Sequence, residues 1–341
     1  MLNFRNDYSE GAHPAVLEAL TETNLLKTPG YGSDSFCAAA ADTICRLCGA
    51  PGAQVHFVAG GTQANKLVIG ALLRPYEAVI SAATGHIAGH EAGAIEHNGH
   101  KILTLPAPDG KLTAQMVAQA VSQCGEEYTP LPRLVYLSNT TEVGTVYTRR
   151  ELSAIRACCR ELGLLLYCDG ARLGSAITAP GSDLGFADYA ALCDAFTIGG
   201  TKNGLLFGEA VVLTNPSLYP NFRRAMKQQG AILAKGRLLG VQFGAILKDG
   251  LYLELARHAN RMALRLREGL VRLGYPLAYD SPSNQLFPVL TAAQSAALAE
   301  DCAFETIELL ADGRLCVRFV TSWTTQEAEV DALLDRLEAL R

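Results

Sequence analysis

Apolar positions along this chain follow two alternating rhythms: short runs rich in β-branched residues, and longer stretches spaced like one face of a helix. Gln54–Val58 predicts a strand, with a helix over Thr62–Leu73 behind it. Ala78–Ser81 predicts a second strand, followed by a helix over His90–Glu96. The pattern repeats with Lys101–Leu105 and a helix over Leu112–Gln123, and again with Leu134–Ser138 and a helix over Arg149–Leu162. Leu164–Cys168 and Ala195–Ile198 add two further strands. Apolar strands alternating with helices predict an α/β fold of three layers, a mainly parallel sheet with helices on both faces.

After about Ala245 the rhythm changes. Leu251–Leu273 is helical in period, through Leu253, Leu255, Ala256, Ala259, Met262, Ala263 and Leu266. The strand-like runs Asn284–Leu290 and Arg314–Phe319 then bracket a helix, and a last helix starts near Thr325. This predicts a small C-terminal α+β domain at 246–341, a large domain at 21–245 and an N-terminal segment at 1–20, with no low-complexity linker between them.

Composition narrows the class of protein. A length of 341 residues allows about two domains of ~150 residues each. Apolar residues make up 49% and charged residues 18%, values of a chain that buries a core rather than one that stays disordered. The net charge is −5 and no basic run occurs, so neither a nucleic acid nor an anionic membrane is an expected partner. The apolar stretches Leu162–Cys168 and Ala190–Gly200 fall short of the ~20 residues a membrane span needs. Arg5, Asp7 and Glu10 interrupt the start where a signal peptide would be apolar, which points to the cytoplasm.

Ten cysteines suit that compartment as reduced, buried hydrophobes. Cys45 and Cys48 form a C-x-x-C one turn apart in an expected helix over Phe36–Cys48. No second pair follows at metal-site spacing, so an inert helical pair is expected and no metal.

Three features fall at the carboxyl ends of predicted strands, where open α/β sheets bind ligands. Ala59-Gly60-Gly61-Thr62-Gln63-Ala64-Asn65 turns a strand into a helix. Its free N–H groups and the Thr62 hydroxyl suit a phosphate, although a Gly-Gly-Thr turn with a threonine N-cap is also a common structural device. Leu165–Cys168 delivers Asp169, with Arg172 three residues on. Such an aspartate either caps the next turn or pairs, buried, with a protonated ring nitrogen. Ala195–Ile198 delivers Lys202, flanked by Gly199, Gly200 and Gly204. A lysine in a dry pocket has its amine pKa lowered and suits a Schiff base; in a wet loop it is only a solvated charge. Phosphate loop, strand-end aspartate and strand-end lysine together are the essentials of a pyridoxal 5'-phosphate enzyme.

At these residues the chain resembles the low-specificity L-threonine aldolases, in the aromatic amino-acid β-eliminating lyase/threonine aldolase group. The resemblance runs nearly end to end, through RNDYSEGAHP, YGSD at Tyr31, GGTQAN at Gly60, GHIAGHEAGAIE at Gly85, CDGARL at Cys168, GGTKNG at Gly199 and VRFVTSW at Val317. It implies a fold-type-I pyridoxal-phosphate enzyme assembled as a homo-oligomer, a dimer or more often a tetramer, with segment 1–20 reaching the active site. Lys202 matches the Schiff-base lysine and Asp169 the carboxylate facing the pyridine nitrogen. Gly60, Gly61 and Thr62 match the phosphate cradle, and His86 the histidine stacked on the cofactor ring, a candidate base. Arg172 and Arg318 match the pair that holds the substrate carboxylate, with Asn6 where many members have a serine, and Tyr31 as a further substrate contact. Lys235 falls near a basic phosphate ligand often supplied by a neighbouring subunit.

The match is incomplete. Where several members carry a second histidine in E-N-T-H-N-G, this chain has Ser138-Asn139-Thr140-Thr141-Glu142-Val143-Gly144, which leaves His90, Thr141 and Glu142 as substitutes. The implied reaction is retro-aldol cleavage of L-threonine or L-allo-threonine to glycine and acetaldehyde. A β-eliminating lyase or aminotransferase on the same scaffold is the alternative, and a non-catalytic redox or metal-sensing protein using Cys45 and Cys48 the remote one.

Overall fold

The computed structural model describes residues 1–341. Seven strands form its central sheet: β1 (Gln54–Val58), β2 (Glu77–Ala82), β3 (Lys101–Leu105), β4 (Leu131–Ser138), β5 (Leu165–Asp169), β6 (Ala195–Gly199) and β7 (Glu209–Leu213). Their order is β1-β7-β6-β5-β4-β2-β3. Parallel pairing joins β3, β2, β4, β5 and β6, whereas β7 runs antiparallel to both β6 and β1. Every residue of β2, β5, β6 and β7 is buried. That is why these strands read as apolar runs without alternation. Successive side chains still point to opposite faces. Leu166, Cys168, Phe196 and Ile198 pack on one core, and Leu165, Tyr167 and Ala195 on the other.

The expected α/β layering is observed, with differences of physical origin. The pattern does not predict β7, because it returns from β6 through loop 200–208 with no intervening helix to mark it. The single helix expected over His90–Glu96 is two short turns, His86–Gly89 and Ala94–His97. Ala92 and Gly93 between them have φ of 50° and 72°, a left-handed break that a helix cannot pass through.

A third core gathers Phe4, Met262, Leu266, Leu270, Phe319, Val330 and Leu333 around the helix Leu251–Arg272 and the C-terminal helix Glu327–Ala339. The run expected over Asn284–Leu290 is two short strands, Gln285–Leu286 and Val289–Leu290, with Pro288 between them. Both pair with Leu315–Val320. The other edge of Leu315–Val320 is covered by Glu305–Leu309, a largely exposed strand that its mixed polar sequence does not announce. Leu2–Asn3 pairs in parallel with Cys302–Ala303, and Val320 N donates to Phe4 O. The N-terminal segment is thereby anchored on the C-terminal core before it crosses to the sheet edge.

Candidate active site

Lys202 follows β6 in a loop folded back on Gly208: Gly200 N and Thr201 N donate to Gly208 O at 2.9 and 3.2 Å. Gly199 and Gly170 let the chains behind β6 and β5 cross closely. A Cβ on Gly199 would stand 2.3 Å from Ala171 O, and one on Gly170 would stand 2.0 Å from Thr197 O. Burial lowers the Lys202 amine below its ordinary pKa, and the Arg172 guanidinium adds to this; Asp7, Glu142 and Asp169 oppose it. More of the amine is therefore neutral and nucleophilic at a given pH.

Asp169 ends β5 and is almost fully buried. Its Oδ2 accepts from the Tyr136 hydroxyl at 2.8 Å and from Asn65 Nδ2 at 2.9 Å, and its Oδ1 from Ala171 N at 2.9 Å. The carboxylate does cap the turn after β5, as the plainer expectation had it, but Oδ2 is fixed by two side chains as well. Asn65 Nδ2 also donates to Glu91 Oε1 at 2.7 Å, and Asn65 Oδ1 accepts from the Tyr167 hydroxyl at 2.7 Å. Glu91 Oε1 takes a further bond from His86 Nδ1 at 2.7 Å. That bond raises the His86 pKa against the opposing effect of burial, with the charges of Glu142 and Asp169 adding to it.

The helix Gly61–Leu72 starts from Gly60 in extended conformation, and no side chain caps it. Thr62 lies inside the first turn and is not the N-cap. A Cβ on Gly60 or Gly61 would meet nothing within 4 Å. Uncapped N–H groups opening on free space, at the positive end of a helix, suit a phosphate. With a partly buried lysine amine whose pKa desolvation lowers and a buried carboxylate held by three donors, the residues present fit pyridoxal phosphate.

The arginines are already engaged. Arg172 donates through Nε and Nη2 to the two oxygens of Asp7 at 2.7 and 3.0 Å, and both side chains are buried. Burial would raise the Asp7 carboxyl, but the Arg172 charge, with that of Lys202 and the hydrogen bonds, holds it below its ordinary pKa. Arg318 pairs with Glu305 and donates to Gln285 Oε1 at 3.4 Å, while its Nε is buried without a partner. Asn6, beside Asp7, accepts from Tyr8 N and Ser9 Oγ.

Tyr31 and Lys235 lie together in a different place. Tyr31 is 52% exposed, its N–H donates to Ala234 O, and Lys227 stacks over its ring at 5.0 Å. Lys235 is exposed in the adjacent loop. Among the substitutes for the absent histidine, the His90 ring stacks on His86 at 5.6 Å. Glu142 acts electrostatically on both His86 and Lys202. Thr141 bonds within its own turn, to Thr145. Burial pushes the Cys48 thiol up to about 12 and raises that of Cys45, which makes both poor thiolates.

The sequence signals missed Asp7, Asn65, Glu91, Tyr136 and Glu209. Asp7, Asn65 and Glu91 stand inside quoted motifs, and a polar residue within an apolar helical stretch was the available signal for Asn65. Glu209 opens β7 opposite Gly199. Its carboxyl is pushed up to about 8 by burial and the nearby Asp169 charge, and its Oε2 has no partner.

Residues 3–293 match the beta-eliminating lyase family. The chain belongs to that family. The low specificity L-threonine aldolase of Pseudomonas sp. (strain NCIMB 10558) is 34% identical over 99% of this chain and 97% of its own. That of Pseudomonas aeruginosa is 35% identical over 97% and 95%. Among solved structures, the threonine aldolase of Leishmania major superposes with a TM-score of 0.98 at 48% identity, covering 100% of this chain and 99% of its own. Aspartate aminotransferase from Thermus thermophilus shares the fold alone, with a TM-score of 0.76 at 15% identity over 100% of this chain and 92% of its own. The family's fold is that of the fold-type-I pyridoxal-phosphate enzymes, as the resemblance implied.

Proposed function

We propose that this chain is a pyridoxal-phosphate-dependent aldehyde-lyase that cleaves L-threonine, L-allo-threonine and related β-hydroxy amino acids to glycine and an aldehyde. The observation that carries the reading is the convergence of a partly buried Lys202 whose amine pKa is lowered, a triply bonded Asp169 and an uncapped helix start at Gly60–Thr62. The Pseudomonas and Leishmania relatives support the substrate class.

Lys202 is the amine that would bind the cofactor aldehyde covalently, Asp169 would face its ring nitrogen, and Gly60, Gly61 and Thr62 would take its phosphate. When bound, the cofactor supplies an electron sink for the pair left on Cα as the Cα–Cβ bond breaks. Arg172 keeps Nη1 free of Asp7 and would offer it to the substrate carboxylate, with the Arg318 guanidinium as the second cation and Asn6 next to Asp7. A clamp on that carboxylate selects which bond to Cα is weakened. His86 donates Nδ1–H to Glu91, so Nε2 is the atom that would take the β-hydroxyl proton, a step worth about 10²–10⁴-fold.

The same reading assigns segment 1–20 to the site, 21–245 to a cofactor-binding domain and 246–341 to a small domain with its own core. It assigns the protein to the cytoplasm on the charged start at Arg5, Asp7 and Glu10; no helix is long and apolar enough to cross a membrane. Tyr31 and Lys235 would serve the site of a second copy in a homo-oligomer, a tetramer by preference.

The test is incubation of purified holoenzyme with threonine. Acetaldehyde and glycine in equal amounts are expected. Release of ammonia or a keto acid without acetaldehyde would overturn the proposal in favour of elimination or transamination, which the family's name keeps in view.

A further inference from the structure

Asn65 bridges two carboxylates that have no other common partner. It has two amide hydrogens and spends one on Glu91 Oε1 and the other on Asp169 Oδ2, at 2.7 and 2.9 Å. Its carbonyl oxygen accepts the Tyr167 hydroxyl at 2.7 Å. Rotating the amide by half a turn would set its oxygen against both carboxylates, so the three contacts admit one orientation only. All three polar residues are buried, Asn65 at 1% exposure. Glu91 Oε2 has no partner at all, so Oε1 alone carries the interaction with both His86 and Asn65.

We infer that Asn65 is a positioning residue that locks the Glu91–His86 pair and Asp169 into one unit, so that a single amide sets both the imidazole and the carboxylate meant for the cofactor ring. The inference rests on the proposed function and adds to it how two separate groups of that site are held in register. Asn65 leaves the first turns of the cofactor-side helix, Glu91 comes from the broken segment after β2, and Asp169 ends β5. No backbone hydrogen bond joins these three points. Without the amide, two like charges would share a low-dielectric space with nothing between them, a costly arrangement.

The experiment is a double-mutant cycle read by the affinity of the holoenzyme for pyridoxal phosphate, from absorbance titration. Asn65→Leu keeps the volume and removes both donors. It is expected to weaken cofactor binding about tenfold or more, the typical effect of losing a hydrogen bond to a charged group, while Tyr136 and Ala171 still hold Asp169. Glu91→Gln is expected to weaken binding in the parent protein and to have a clearly smaller added effect in the Asn65→Leu background, because the part of its influence that reaches Asp169 runs through the amide while the part that reaches His86 is direct. Tyr167→Phe, which touches neither carboxylate and preserves packing, is expected to weaken binding a few-fold and serves if Asn65→Leu fails to fold.

A second readout is the His86 titration by NMR. Glu91, Glu142, Asp169 and the His90 ring face or act on that imidazole. Glu91→Gln should move the titration to lower pH. Cofactor affinity unchanged in Asn65→Leu and Tyr167→Phe, or additive effects in the cycle, would overturn the inference. If the parent protein takes up no cofactor at all, the proposed function itself falls.

Discussion

The two sides of the site are built differently. On the side proposed for the cofactor, Asp169, Asn65, Tyr136 and Tyr167 come from strands and a helix of the central layers and Glu91 from the broken segment after β2, and all are buried. On the side proposed for the substrate, Arg172 is held by Asp7 of the N-terminal segment, and Arg318 by Glu305 of the exposed edge strand of the C-terminal sheet. On the first side every one of these side chains is partnered before any ligand arrives, Glu91 through Oε1 alone. The second keeps cations beside carboxylates, which a substrate carboxylate would share or displace under the proposed function. Preorganisation therefore belongs to the sheet, and adjustability to the chain ends docked against it.

The sharpest way to break the cofactor side is Lys202→Ala. Turnover should vanish along with the visible absorbance of the bound cofactor, and a fully active variant would remove the assignment. Next comes Asp7→Asn, which leaves the buried Arg172 guanidinium unpaired. It should cost about 3–5 kcal/mol in a denaturation curve. The Asp7 carboxyl is held below its ordinary 3.8, so its stabilisation is present above that pH and fades as the pH falls. Removing Glu305, with its side chain 36% exposed, should cost under ~1 kcal/mol by contrast, as exposed pairs do. Equal costs at the two arginines would erase the distinction between them.

Arg318→Lys should raise KM for threonine about tenfold, leaving the bound cofactor spectrum and the melting temperature close to the parent's. An unchanged KM would contradict the clamp. Glu209→Gln is expected to act on the pH dependence of stability rather than on binding. With a folded pKa of about 8 against an ordinary 4.5, Glu209 keeps a proton that the unfolded chain has lost. Its burial therefore lowers stability as the pH rises through that window, and the variant should show a flatter melting temperature between pH 5 and 8. Parallel curves for the two proteins would show that Glu209 does not titrate in this way.

Much of the framework was legible locally. Asp169 and Lys202 can be picked out because each comes at the carboxyl end of a largely apolar strand, where open α/β sheets bind ligands. The helix after β1 was legible from Leu67, Val68 and Ile69, although its cap was misread as Thr62 when it is Gly60. The segment His90–Glu96 was misread because helical spacing outweighed Gly93, whose left-handed backbone decides the local path. The strand β7 was missed because a tight antiparallel return carries no helix to flag it.

The sequence by itself determined the layers, the order of the strand-end residues and the family. Those depend on periodicity and on short spans of chain, where a residue's neighbours are its sequence neighbours. Tertiary structure alone decided which charge meets which: Asp7 with Arg172, Glu91 with His86, and Asn65 between two carboxylates. Such pairings join residues up to 165 positions apart. They depend on distances of a few ångströms in a poorly screened interior, and a linear pattern holds no record of those distances.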